Sequence, residues 1–469
     1  MHCFVFVIEV TLKSCSNIVG DMTRLQQALA TCLTVVTVVQ LGRNGVTSMN
    51  TFSCSPPCLN GGVCVSENTC MCTAEFEGPI CLTPRTARWL LLFISIGLLA
   101  LVVFNYLPQM PELEELTEVR FEDLFIDYSA RIQTMKDGGF WKANPPTGTC
   151  NNVSGTSTPC VDTNCIGSVI SDPKESLSSV LNSMVHLDRD TLSEVTRLLK
   201  PNYTAKKVVF VTAASSNHFL ESQAMIKNLH ERVFPLLTNY SFVYYDLGLT
   251  TEERSEVERF CRCEVRTFPL WAMHPRLRNL KCYTWKPLII NANLPTAEHL
   301  VWTDASVRFQ GDSILTLLKE LDIRGVTINR ADWSIGQHTT QDMMNYFGER
   351  TCKFSHTVEP GAFFIMLKND RFIRNAVVKP WAACALSPNC MCPENPKSLL
   401  HCRGEIRKYS KCHRFDQSAM GIILVKLFRD HEISVTVPLK LIKVRRGHKE
   451  KYFEVLRSRM TPKLFKNYA

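Results

Sequence analysis

Lys206-Lys207-Val208-Val209-Phe210-Val211-Thr212 opens on two lysines and closes on the small polar stretch Ala213-Ala214-Ser215-Ser216-Asn217. A short apolar run without polar alternation, bounded by turn residues, is the pattern of a strand covered on both faces, as in a parallel sheet. Next, Phe219 to Leu237 carries Leu220, Ala224, Ile226, Leu229, Val233 and Leu236 at helical spacing. Ser241 to Leu247 predicts a second strand, Glu252 to Cys261 a helix and Cys263 to Phe268 a third strand. Trp285 to Leu294 predicts a further helix, and Glu298 to Thr303 a strand that ends at Asp304. This alternation predicts an α/β domain over 201–440 with a mostly parallel, Rossmann-like sheet, where ligands bind at the carboxyl ends of the strands.

The residues that end the strands are therefore the candidates for chemistry. Asp304-Ala305-Ser306-Val307-Arg308 follows a strand expected at the centre of the sheet. A carboxylate there suits Mn2+ or Mg2+, hard cations that take oxygen ligands and neutralise a phosphate leaving group, which makes Asp304 the candidate metal ligand. Position 306 is serine, so the triplet offers one carboxylate, and Arg308 is the candidate to offset phosphate charge instead. Cys412-His413-Arg414-Phe415-Asp416-Gln417-Ser418-Ala419-Met420 precedes the apolar run Gly421 to Leu427, which places Asp416 and Gln417 at the start of a buried helix. Glu359-Pro360-Gly361-Ala362-Phe363-Phe364 reads as a turn entering a strand, with Glu359 a candidate general base and His338 and His356 in loops nearby. Trp285 and Lys286 are candidates for the pocket wall. The competing reading makes Asp304, Glu359 and Asp416 turn or helix-cap residues.

The chain has 469 residues, more than one domain's worth at roughly 150 residues each. Hydrophobic residues at 45% and charged residues at 21% exclude a wholly disordered or many-spanning protein. A net charge of +9 with no basic stripe interleaved with aromatics argues against nucleic-acid binding. Twenty-one cysteines favour the oxidising secretory pathway over the cytosol. Six of them, Cys54, Cys58, Cys64, Cys70, Cys72 and Cys81, are spaced C-x3-C-x5-C-x5-C-x-C-x8-C around Asn60-Gly61-Gly62. Spacing alone permits about fifteen pairings.

That module resembles an EGF-like domain at 54–81. The resemblance implies pairing Cys54 with Cys64, Cys58 with Cys70 and Cys72 with Cys81, and a role in protein contact. In the larger region VVFVTAASSNHF (208–219), YDLGL (245–249), YTWKP (283–287), WTDASVRF (302–309) and CHRFDQSA (412–419) occur in order. Together they resemble an animal family described only as a domain of unknown function and distantly similar to GT-A glycosyltransferases. The resemblance covers roughly 200–430. It implies a GT-A-like domain that transfers a sugar from a nucleotide-sugar to a glycan or glycoprotein. Asp304 would meet the cation or diphosphate, and Asp416 with Gln417 the acceptor or donor sugar.

Trp89 to Leu107 is nineteen residues without a charge, long enough at 1.5 Å per residue for a transmembrane helix through a roughly 30 Å hydrocarbon core. The remaining expectations are a leader over 1–53 with a signal peptide at 22–41, a stem over 108–200 and a basic tail over 441–469. Sequons at Asn152, Asn202 and Asn239 and twelve cysteines all follow the span, which favours a lumenal C-terminal domain. The expected location is a single-pass membrane protein of the secretory pathway, in the Golgi or at the cell surface. One span cannot place both it and the disulfide module in the lumen, and a signal peptide would put the module there and the domain in the cytosol. The rival to the enzyme reading is a non-catalytic membrane protein for cell-surface or matrix interaction. For protein expressed in animal cells, removal of N-glycans is expected to shift gel mobility, and the shift is expected to vanish when Asn152, Asn202 and Asn239 are all changed to Gln.

Overall fold

The computed structural model describes Ser55, 57–66, 69–74, 76–77, 81 and 83–84 in a unit spanning 1–117, and 119–144, 172–185, 187–199, 205–355, 357–394, 402, 410, 412–438 and 440–460 in a unit spanning 118–469. The expected signal peptide, the apolar stretch 89–107, Cys54, Asn152 and Asn202 lie outside the described residues. Among the described residues no helix is long and apolar enough to cross a membrane.

The first unit is a small disulfide-rich module of two antiparallel hairpins, Val63–Ser66 with Thr69–Met71 and Phe76–Glu77 with Thr83–Pro84. Disulfides join Cys58 to Cys70 and Cys72 to Cys81, as expected, and Cys64 is also disulfide-bonded. Gly62 is required by packing: a Cβ there would lie 2.4 Å from the Cys81 sulfur.

The second unit begins with three helices, α1 (Phe121–Asp137), α2 (Pro173–Asn182) and α3 (Arg189–Leu199). There follow β1 (Lys206–Ala214), α4 (Phe219–Asn228), β2 (Tyr240–Asp246), α5 (Thr251–Phe260), β3 (Glu264–Thr267), α6 (Trp285–Asn293) and β4 (Ala297–Thr303). These match the strands and helices expected from the sequence within a residue or two at most ends. The chain continues through β5 (Val307–Phe309), α7 (Ser313–Arg324), β6 (Val326–Ser334), α8 (Gln341–Tyr346), β7 (Val358–Lys368) and α9 (Lys379–Leu386). It ends in α10 (Phe415–Phe428), β8 (Thr436–Val437), β9 (Ile442–Val444) and α11 (Tyr452–Met460).

The main sheet has the order β8-β6-β7-β4-β1-β2-β3. Among the described strands β7 alone runs against the other six, so the sheet is mixed and mostly parallel. Side chains alternate between its faces, as strand geometry requires. Val209, Val211, Leu300, Trp302, Ile365 and Leu367 pack under α1–α3, α6, α9 and α10. Val208, Phe210, Val301, Phe364 and Met366 pack under α4, α5, α7 and α11. The result is a three-layer α/β/α sandwich.

Four expectations are corrected. Helices α1, α2 and α3 do not form a separate stem, because Leu124, Tyr128, Ile132, Met135, Leu177, Val180, Leu192 and Val195 belong to the core of the sandwich. Residues 441–460 are not a solvated tail: β9 pairs with β5, and Ile442, Tyr452 and Phe453 are buried in the other face. Glu359-Pro360-Gly361 lies inside β7, where the β6–β7 register shifts between Ile328 and Asn329 and again between Arg330 and Ser334, so the missing proline N–H is accommodated. Asp416 sits within the first turn of α10, whose cap position is Arg414. If α1 and α2 are core, Leu177→Ala or Tyr128→Ala will each destabilise the chain by about 2–5 kcal/mol in denaturant unfolding; a true stem would tolerate both.

Candidate functional site

β4 ends the parallel ladder at Trp302-Thr303, and the chain leaves the sheet at Asp304, whose N–H donates to the Phe363 carbonyl at 2.9 Å. Residues two apart on a strand share a face. The Trp302 indole N–H accordingly reaches Asp304 Oδ1 at 2.8 Å and sets the carboxylate's direction. Behind it lies Lys286, in the first turn of α6 and 3% exposed at its side chain. Its ammonium is 3.3 Å from Asp304 Oδ1 and 2.8 Å from Asp416 Oδ2, and it donates to the Ala362 carbonyl at 3.0 Å. One N–H thus has a carbonyl acceptor, and the charge is shared between two carboxylates in ion-pair contact. Burial pulls the Lys286 ammonium down, and Asp304 and Asp416 more than reverse it, so its pKa stands above the usual lysine range and the cation is held.

Asp416 lies more than a hundred residues along the chain from Lys286 and Asp304, and the three charged groups still converge. Two non-glycine residues in left-handed backbone deliver them. Tyr283 (φ 55) turns the chain into α6, and Phe415 (φ 44) turns it into α10. Their rings lie 6.0 Å apart, and the Lys286 nitrogen is 5.7 Å from the Tyr283 ring. The Trp381 indole donates to the Asp416 carbonyl at 2.9 Å and anchors the start of α10 from α9. Trp285 packs beside Lys286, with its ring 5.8 Å from the ammonium and its N–H on the Leu280 carbonyl.

From Asp416 the network continues inward. Gln417 neighbours the Glu359 carboxyl and helps to lower its pKa, and that carboxyl lies 2.8 Å from His338 Nδ1. Burial pushes the Glu359 carboxyl up from the ordinary range, and His338 pulls it back. His338 is fixed in turn: its carbonyl accepts from the Ser418 hydroxyl at 2.7 Å and the Arg414 N–H at 3.0 Å. Glu359, 2% exposed, therefore sits behind Gln417 and does not face solvent. Only Asp304 opens outward, with 35% of its side chain exposed beside the exposed Tyr283.

Asp304, Asp416, Lys286, Gln417, Glu359 and Trp285 are thus brought together, with Lys286 an internal counter-ion rather than a wall residue. Arg308 is not among them. It is buried and directs its guanidinium to the carbonyls of Ala305, Val307, Glu221 and His448. Burial lowers its pKa to about 10. Trp302, Tyr283 and Trp381 were missed from sequence, although the two-residue spacing of Trp302 and Asp304 was a readable signal. Asn239 lies exposed at the bend before β2, as a glycan acceptor requires.

The donor set around Asp304 does not fit Mn2+ or Mg2+. Oδ1 already faces an indole N–H and an ammonium, and position 306 supplies no carboxylate. Among the described residues, one candidate ligand group is His338 with Cys402 and Cys412, whose sulfurs form a disulfide. The other is Glu298, His299 and Asp322, with Glu298 and His299 in the amino-terminal half of β4, away from Asp304.

Fold and site define an α/β/α protein with a charged hub at the carboxyl end of a parallel strand. Residues 176–291 match the family described as "Protein of unknown function (DUF1647)". No curated protein sequence matches the chain. Similar solved structures include the bifunctional glycosyltransferase WbbM in its apo form, at 10% identity and a TM-score of 0.30, covering 51% of this chain and 40% of that one. The mannosyltransferase Ktr4p from S. cerevisiae is similar at 12% identity and a TM-score of 0.31, covering 55% of this chain and 82% of that one. The galactosyltransferase LgtC, solved with donor and acceptor sugar analogs, is similar at 12% identity and a TM-score of 0.30, covering 54% and 96%. The chain thus spans less than half the length of WbbM.

Removing the hub cation leaves two carboxylates facing each other in a buried site. Lys286→Met is expected to cost about 3–5 kcal/mol in unfolding free energy, and adding Asp416→Asn is expected to restore part of it.

Proposed function

We propose that this chain is a membrane-anchored, glycosyltransferase-like protein of the secretory pathway, in the Golgi or at the cell surface, that transfers a sugar from a nucleotide-sugar to a glycan or glycoprotein hydroxyl. The observation that carries this reading is the meeting of Asp304, Lys286 and Asp416, with Gln417 and Glu359 beside them, at the carboxyl end of a central parallel strand, the place where open α/β sheets bind ligands. A structural ion pair has no need of a partly exposed carboxylate aimed by an indole, and left-handed backbone on both sides of the hub fits a built site. Three of the five sequence stretches that resemble the GT-A-like family supply the start of α6, the end of β4 and the start of α10, which meet here.

In this reading Asp304 accepts hydrogen bonds from the bound donor, and Lys286 holds its charge and position. Gln417 and Asp416 lie next in line toward the transferred sugar, and Glu359 with His338 orients Gln417. The acceptor oxygen bonds to the sugar's anomeric carbon, the bond from that carbon to the diphosphate oxygen breaks, and the proton of the acceptor hydroxyl passes to the departing diphosphate. The apolar stretch 89–107 is the anchor, with the large unit on its lumenal side. Disulfides Cys261–Cys263, Cys282–Cys392, Cys384–Cys390 and Cys402–Cys412 support an oxidising compartment for the large unit.

A second reading, a non-catalytic cell-surface or matrix interaction protein, is favoured by the lack of a carboxylate at Ser306. Asp304→Asn and Asp416→Asn are expected to lower sugar transfer or nucleotide-sugar hydrolysis at least about 100-fold while circular dichroism stays native. A wild-type chain that neither hydrolyses nor transfers any nucleotide-sugar supports the second reading.

A further inference from the structure

The segment Lys443-Val444-Arg445-Arg446-Gly447-His448, basic in composition, lies against the loop that carries Asp304. β9 pairs antiparallel with β5 in the register Ile442 to Phe309, Lys443 to Arg308 and Val444 to Val307. The next residue continues the pairing, because the Arg445 N–H donates to the Ser306 carbonyl at 2.8 Å. Arg445 is therefore fixed opposite a residue two positions from Asp304. Arg446 is among the charges acting on the Tyr283 hydroxyl, whose pKa is raised chiefly by burial. The backbone pairing thus sets Arg445 beside the 304–306 loop, with Arg446 next to it in the turn.

Both arginines are exposed, and neither has an ion-pair partner among the described residues. The turn that holds them is anchored. Gly447 (φ 72) donates its N–H to Glu221 Oε1 at 2.8 Å, the Glu450 N–H reaches the Leu220 carbonyl at 3.1 Å, and the Phe453 N–H reaches Gln223 Oε1 at 3.0 Å. From below, the buried Arg308 ties the carbonyls of Ala305 and Val307 to that of His448. His448 turns Nδ1 toward Glu450, at 3.8 Å, leaving the outer side of the turn to the guanidinium groups.

Resting on the function proposed above, we propose that Arg445 and Arg446 hold the diphosphate of the nucleotide-sugar donor, so that this site binds its donor without a divalent cation. Two guanidinium groups bring the same two positive charges as a divalent cation, and each forks onto phosphate oxygens through paired N–H donors. The arrangement also removes the conflict at Asp304. Its charge is already offset by Lys286, so it is free to accept from sugar hydroxyls, while the phosphates meet cations a few residues away. As the diphosphate leaves, the arginines stabilise the charge that develops on it.

The test is calorimetric titration of the full-length chain in detergent with UDP-glucose, UDP-galactose, UDP-N-acetylglucosamine and GDP-mannose, each in EDTA and in Mn2+. Binding of at least one donor is expected, with a Kd that differs less than about twofold between the two conditions. Arg445→Ala with Arg446→Ala is expected to weaken binding about 10- to 100-fold in EDTA, and the paired Lys substitutions to recover part of it. Melting temperature checks that these exposed changes leave the fold intact. Binding that requires Mn2+, or binding in EDTA that is indifferent to the arginines, overturns this inference and leaves the proposed function standing. Absence of binding to every donor in both conditions overturns both.

Discussion

A single ammonium with nowhere to go organises this molecule. Lys286 is buried against the Trp285 and Trp302 rings, and an unpaired cation there would cost several kcal/mol. Its charge is met by Asp304 at the end of β4 and Asp416 at the start of α10, and the Ala362 carbonyl in β7 accepts from it. Four elements must therefore arrive together before any of them is satisfied. The same requirement explains the left-handed Tyr283 and Phe415, which swing α6 and α10 into register with the sheet.

The cation also divides the site electrically. One cation faces two carboxyl groups, and the outermost oxygen-bearing group is Asp304. Deeper in, Gln417 passes the network to Glu359 and His338, groups with little or no access to water. Outside, the positive charge returns in the turn at Arg445 and Arg446. An acidic point inside a basic rim suits a ligand with hydroxyls at one end and phosphates at the other.

Covalent ties frame these contacts. Cys282, next to Tyr283, is bonded to Cys392 across 110 residues, and Cys412, three residues before Phe415, is bonded to Cys402. Closing a loop of that length removes on the order of 4–5 kcal/mol of unfolded-state freedom. Both bonds fall beside the residues in strained backbone, where extra constraint holds a geometry that the local sequence alone would not choose.

How much of this was legible before folding depended on whether the signal was local. Val208 to Thr212 and Glu298 to Thr303 announced themselves because buried parallel strands are apolar on both faces, and Asp304 was visible as the first charge after one of them. Helix α1 carries Leu124, Tyr128, Ile132 and Met135 at helical spacing, but the acidic stretch before it and the polar one after it made the whole region read as a stem. The basic residues around Ile442 and Val444 hid a strand in the same way, and Pro360-Gly361, a turn signal, proved to be a bulge inside β7. The sequence by itself determined the α/β class, the strand-end carboxylate and the disulfide-rich module, because these rest on periodicity, spacing and composition. Only the tertiary structure decided that Lys286 pairs with Asp304 and Asp416, that Glu359 lies behind Gln417 and that Arg445 stands opposite Ser306. Those pairings join residues up to 139 positions apart in sequence, and nothing short of the packed sheet brings them within reach.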